Sequence, residues 1–200
     1  MEKVKAEKSE NACKIVKEEK AENARKTGVS CVFAGTFDPL TAGHENVIDK
    51  CLALYDRVFV VIGENPLKAP AFSLEERAAV LHAVYGDDAR VCITDYTAHK
   101  DDYAGFLRDN GVTVYVRGVR NETDKAYEDE YAAKNARLYP FIKTVYLAPD
   151  EKYRAVSSSL VRKKLKNGED LTGLLSENAL KTVTALLEKR KREKQAETKA

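Results

Sequence analysis

The stretch Val32–Val47, VFAGTFDPLTAGHENV, gathers residues suited to holding a phosphate: Thr36, a glycine-containing turn and His44. Gly35 lets the backbone approach a ligand closely, and Pro39 stiffens the turn. Thr41 and His44 are three positions apart, so both can face the same way in the first turn of a helix. A helix N-terminus offers free amides and a positive dipole end, and an imidazole there can donate to a phosphate oxygen. Alone, the stretch also reads as a capped turn with a surface histidine.

Three further corners repeat the theme. Ser157, Ser158 and Ser159 stand at a strand-to-helix junction, where serine caps a helix and offers hydroxyls beside its free amides. Arg117 and Arg120 straddle Gly118 and could clamp charge that develops on a phosphoryl group. Lys68 lies between Pro66 and Pro70 in a stiff loop. Each has a plain alternative: an N-cap, two solvated arginines, an exposed lysine. Together they describe a nucleotide-polyphosphate site. The chain has no G-x-x-x-x-G-K-[ST] loop, no nucleophile–base pair stands out, and no metal-ligating cluster is expected.

The elements that must position these residues alternate in period. VSCVFA, RVFVVIG, ARVCITD, VTVYVRG and IKTVYLAP are short, apolar and β-branched, as strands buried on both faces of a parallel sheet are. Helices are predicted over about 44–55, 73–85 (opened by a Ser-Leu-Glu-Glu capping box), 101–110 (closed by Gly111), 123–139, 157–166 and 176–190. Strand–helix alternation predicts an α/β fold: one domain with an open, parallel, five-stranded sheet and helices on both faces, Rossmann-like. In such folds ligands lie beyond the carboxyl ends of the strands, and all four corners follow strands.

Composition sets the outer limits. The chain has 200 residues, 44% hydrophobic and 33% charged, with a net charge of +2. That supports one soluble domain and gives no global case for nucleic acid or membrane. No apolar run is long enough to span a bilayer and no apolar signal core opens the chain, so a cytoplasmic location is expected. The four cysteines form no C-x-x-C pair; Cys31 and Cys51 fall on apolar periodic positions and are expected buried. Residues 1–28 read as a charged arm, helical or disordered, 29–187 as the domain, and 188–200 as a basic tail that extends the last helix.

GTFDPLTAGH resembles the [TH]-x-G-H signature of the nucleotidyltransferase superfamily, and VSSSLVR is similar to its I-S-S-[ST]-x-[VIL]-R signature. With NPLKAP, FSLEER, YVRGVR and a Tyr-Glu pair in the next helix, residues 29–187 resemble the bacterial phosphopantetheine adenylyltransferase family. The resemblance implies transfer of the adenylyl group of ATP to 4′-phosphopantetheine, giving dephospho-coenzyme A and pyrophosphate, with Mg²⁺ assisting. It implies that Thr36 and His44 stabilise the transferring group. Lys68 and Arg117, with Thr36, would hold the acceptor phosphate. Gly35, Phe37, Gly118, Arg120, Asp124, Glu128 and Tyr153 would line the ATP site together with Thr36 and His44, and Ser157–Ser159 would meet the outer phosphates. A homo-oligomer, a hexamer, is implied as well. The chain departs from the family at Lys125-Ala126, at Asp129–Asn135 where a Met-rich stretch is usual, and in the polar segment Thr97–Tyr103 with His99 and Lys100.

Three other readings compete: a related enzyme using CTP or another phosphorylated acceptor, a nucleotide-binding module without catalysis, and a nucleic-acid binder acting through the tail. Thr41, where cytidylyltransferases usually have a second histidine, favours adenylyl transfer.

Overall fold

Five β-branched segments form the strands β1 (Ser30–Gly35), β2 (Arg57–Ile62), β3 (Val91–Asp95), β4 (Val112–Gly118) and β5 (Lys143–Leu147). The structure is a computed structural model that describes residues 28–64, 69–120 and 122–198, with backbone alone for residues 122–124 and 127. The strands make one sheet in the order β3-β2-β1-β4-β5, and each pairing is parallel. The chain therefore builds outward from β1 to β3, returns past β1, and builds outward again through β4 and β5. The order reverses between β1 and β4, and an open α/β sheet leaves its ligand crevice at such a reversal.

Among the described residues six α-helices accompany the sheet: α1 (Ala42–Leu54), α2 (Leu74–Tyr85), α3 (Tyr103–Asp109) and α4 (Glu122–Leu138) connect successive strands, and α5 (Ser158–Asn167) and α6 (Glu177–Glu197) follow β5. The fold class and the position of every strand and helix agree with the sequence reading. Local chemistry sets the ends. Ser73 caps α2 through the expected box: its Oγ accepts from the Glu76 amide at 3.2 Å, and Glu76 Oε2 accepts from the Ser73 amide at 2.8 Å. Gly111, after α3, adopts the left-handed φ of 63° that only glycine reaches without strain.

Alternating strand residues fill two cores. On one face Cys31, Phe33, Val58 and Val60 pack with Val47, Ile48 and Cys51 of α1, Val80 and Leu81 of α2, Val161 of α5 and Val183 of α6. On the other, Val32, Phe59 and Val61 pack with Tyr103 and Leu107 of α3. Cys31 and Cys51 are free and fully buried, as expected. Within the described residues no helix is long and apolar enough to cross a membrane.

The last helix runs through Glu188 without a break. Arg190 donates to Glu76 and to the Ala71 carbonyl at 2.9 Å, and its guanidinium lies 5.1 Å over the Phe72 ring. The first turn of the basic tail is thus docked on the segment that leads into α2.

The helix that carries His44 is anchored by its buried side. Ile48→Ala should cost about 2–5 kcal/mol in urea unfolding, because a fully buried side chain is lost and a cavity is left. Leu54→Ala, at a position 55% exposed on the same helix, should stay within about 0.5 kcal/mol.

Candidate active site

The carboxyl ends of β1 and β4 open into a cavity of about 530 Å³, within the range of small-molecule sites. Its walls include Gly35, Thr36, Thr41, Gly43 and His44 after β1; Arg117, Gly118 and Arg120 at β4; and Ser157, Ser158, Ser159 and Arg162 at the start of α5. The N-termini of α1 and α5 both meet this space, so two positive dipole ends face one volume.

His44 is aimed by the helix cap itself. Thr41 is the N-cap of α1, and its Oγ accepts from the His44 amide at 3.4 Å. The Thr41 amide in turn donates to His44 Nδ1 at 3.2 Å. An imidazole here does what glutamate does in the usual capping box. An amide can only donate, so Nδ1 must be the unprotonated nitrogen and Nε2 carries the hydrogen of the neutral ring. Phe37 packs edge-on against the imidazole at a centroid distance of 5.2 Å. Burial pushes the His44 pKa down to about 4, and the charge of Arg120 adds to the shift. His44 is therefore a neutral hydrogen-bond donor across the physiological range.

A second network joins the separated motifs. The buried Asp38 carboxylate accepts from the Ala71 and Phe72 amides, each at 2.9 Å. Arg162 donates to the Asp38 carbonyl at 2.6 Å and approaches its carboxylate at 3.4 Å. Ser158 Oγ donates to the Pro39 carbonyl at 2.9 Å, Ser157 Oγ accepts from the Leu160 amide at 3.2 Å, and Ser159 Oγ accepts from Arg162 at 3.1 Å. Arg77, only 3% exposed, donates from one nitrogen to the Thr36 carbonyl at 2.8 Å and the Gly63 carbonyl at 3.0 Å, and from Nε to the Ser73 carbonyl at 3.3 Å. It ties the ends of β1 and β2 to the start of α2.

Arg117 reaches the cavity from β4 and pairs with Glu128 of α4 at 3.0 Å. Four arginines (77, 117, 120 and 162) line the cavity against the carboxylates of Asp38, Glu64 and Glu128. That excess, with the two helix ends, gives an anion-attracting site.

Of the residues singled out in the sequence, the structure brings Gly35, Thr36, His44, Arg117, Gly118, Arg120, Glu128 and Ser157–Ser159 to this cavity. The Phe37 ring is placed differently: it is fully buried in the core and backs His44. The reason is local, since φ of 46° at Phe37 turns the chain at the end of β1 and the ring packs at 5.6 Å from Phe33. Tyr153 lies in a 3₁₀ turn behind the N-terminus of α1; its carbonyl stands 3.5 Å from where a Cβ on Gly43 would be. Lys68 and the side chain of Asp124 fall outside the described residues. Asp38, Arg77 and Arg162 are not singled out by the sequence as site residues, although all three stand inside its motifs, in GTFDPLTAGH, FSLEER and VSSSLVR.

Comparison with known proteins agrees with this geometry. The Cytidylyltransferase-like family model matches residues 32–164. Phosphopantetheine adenylyltransferase of Thermotoga neapolitana is 37% identical over 161 residues, which cover 80% of this chain and 98% of the relative. The chain belongs to the phosphopantetheine adenylyltransferase family. A family relative from Thiobacillus denitrificans is 35% identical over 72% of this chain and 88% of its own length. The fold is also that of a putative nicotinate-nucleotide adenylyltransferase from Vibrio parahaemolyticus, with a TM-score of 0.59 and 15% identity over 78% of this chain and 92% of that one. The family match spans both halves of the cavity, from β1 through α5.

The depressed His44 pKa has a consequence for stability. The unfolded chain binds a proton at His44 below about pH 6.5, whereas the folded protein resists doing so until about pH 4. Folding is therefore helped at neutral pH, and that help is lost as pH falls from about 6.5 to 4, by at most about 3 kcal/mol. Solvent reaching the ring through the cavity lowers that figure. Urea unfolding across this window should show a steeper acid loss in the unaltered protein than in His44→Gln, and an NMR titration should place the His44 midpoint well below 6.

Proposed function

We propose that the protein transfers the adenylyl group of ATP to 4′-phosphopantetheine, releasing pyrophosphate and making dephospho-coenzyme A. The observation that carries the reading is His44, a neutral imidazole locked by Thr41 with only Nε2–H left to donate, set among arginines at the sheet reversal. The relatives, named phosphopantetheine adenylyltransferases, supply the acceptor.

The acceptor phosphate attacks the α-phosphorus in line; a P–O bond forms, and the bond to the β-phosphate oxygen breaks as pyrophosphate leaves. His44 Nε2–H and Thr36 donate to the oxygens of the transferring group, where charge shifts in the transition state. Arg117, with Thr36 and Lys68, holds the acceptor phosphate. Arg120, Gly118, Gly35 and Glu128 line the ATP side, and Ser157–Ser159 at the N-terminus of α5 receive the outer phosphates.

Mg²⁺ fits as part of the ATP substrate. Among the described residues no group of three His, Cys, Asp or Glu could hold a metal ion, and both Asp38 oxygens accept backbone amides. The ion would be carried by phosphate oxygens, as Mg²⁺ commonly is. The reading extends to a cytoplasmic homo-hexamer, which rests on the family resemblance and which sedimentation equilibrium checks.

Pyrophosphate release from ATP should require 4′-phosphopantetheine and should fall on the order of a hundredfold in His44→Ala, the scale of one oriented transition-state donor. Release supported by another phosphorylated acceptor and not by 4′-phosphopantetheine, or CTP used as well as ATP, would favour the related-transferase reading over this one.

A further inference from the structure

Arg117 is oriented by an arrangement that the proposed chemistry does not explain. Its guanidinium carbon lies 4.9 Å from the centre of the Tyr115 ring and 5.1 Å from that of Tyr131. One terminal nitrogen pairs with Glu128 at 3.0 Å. Its Nε is buried and makes no hydrogen bond among the described residues. Most well-ordered arginines are fixed by several hydrogen bonds in the plane of the fork. Here a single carboxylate holds the edge, and the plane is left to the two rings.

The rings come from different elements. Tyr115 is two residues before Arg117 on β4, so both project to the same face of the sheet, and Tyr115 is 6% exposed. Tyr131 comes from α4, three residues after Glu128, so one helix face delivers both the ring and the carboxylate. Tyr131 is 39% exposed, on a helix that buries little. It also falls in Asp129–Asn135, where the chain departs from the Met-rich stretch usual in the family.

We propose that Tyr131 is a positioning residue for the acceptor phosphate: with Tyr115 and Glu128 it clamps the Arg117 guanidinium in the plane from which Arg117 meets that phosphate. This rests on the proposed function, which makes Arg117 the acceptor contact. A cation held over ring faces keeps its charge for a ligand, because the rings accept no proton and take up no full anionic partner. Preorganisation then lowers the ordering cost of binding the acceptor, so the effect belongs in the acceptor KM.

The test compares Tyr131→Leu with Tyr131→Phe. Because Tyr131 is partly exposed, neither change empties a core position. In Tyr131→Leu the acceptor KM should rise about threefold to tenfold, in keeping with the loss of one cation–π contact, with the KM for ATP unchanged and kcat within about twofold. Tyr131→Phe, which keeps the ring, should restore the acceptor KM. In ¹⁵N-labelled protein the Arg117 Nε–H resonance, assigned by its loss in Arg117→Lys, should move in the leucine variant and hold in the phenylalanine variant. An unchanged acceptor KM in Tyr131→Leu, or equal damage in both variants, would overturn the clamp. Failure of the unaltered protein to release pyrophosphate with the acceptor would instead overturn the proposed function, and with it the substrate role of the clamp.

Discussion

The carboxylate of Asp38 is the junction on which the site depends. Its two oxygens accept the Ala71 and Phe72 amides of the segment entering α2, and Arg162 of α5 grips the same residue at its carbonyl. Three connections, after β1, β2 and β5, are thereby fixed to one residue near the sheet reversal. Loops at the ligand edge of an α/β sheet are otherwise its least constrained parts. A buried carboxylate that accepts two amides is satisfied, and its removal would leave those amides without partners. From the far side, Arg190 accepts nothing and donates to the Ala71 carbonyl, so the same short segment is held on both edges.

With the loops fixed, helix capping does the aiming. Thr41 and His44 satisfy each other's backbone amides, and that exchange leaves the imidazole one tautomer and one outward nitrogen. Phe37, buried beneath, packs edge-on against one side of the ring, and burial with the nearby charge of Arg120 holds it neutral. Helix initiation, ring orientation and protonation state follow from one local arrangement.

Much of this is legible in the sequence because periodicity and caps are local. Alternating periods locate the strands and helices, and the rule that ligands gather beyond strand ends assigns Thr36, His44, Arg117 and Ser157 to one edge. What the sequence hides is pairing between distant segments. Nothing in Phe37-Asp38-Pro39 says that Asp38 will accept amides 33 and 34 residues away. Arg77 reads as one more charge in an amphipathic helix, yet it is buried with its charge spread over backbone carbonyls. Phe37 illustrates the converse: a position within a ligand motif whose side chain turns inward to support its neighbour.

The absence of an acid–base pair from the sequence reading also has a physical reason. A phosphate monoester loses its second proton near pH 6, so an acceptor of this class arrives largely as a dianion and needs no base to activate it. The obstacle is repulsion between that dianion and a triphosphate. Two helix N-termini and an excess of arginine over carboxylate oppose that repulsion, and a neutral His44 can donate without competing for a proton. A histidine with an ordinary pKa would change charge near neutrality and make the cavity's field depend on pH. Burial of His44 removes that dependence, which suits a site whose work is to bring two anions within bonding distance.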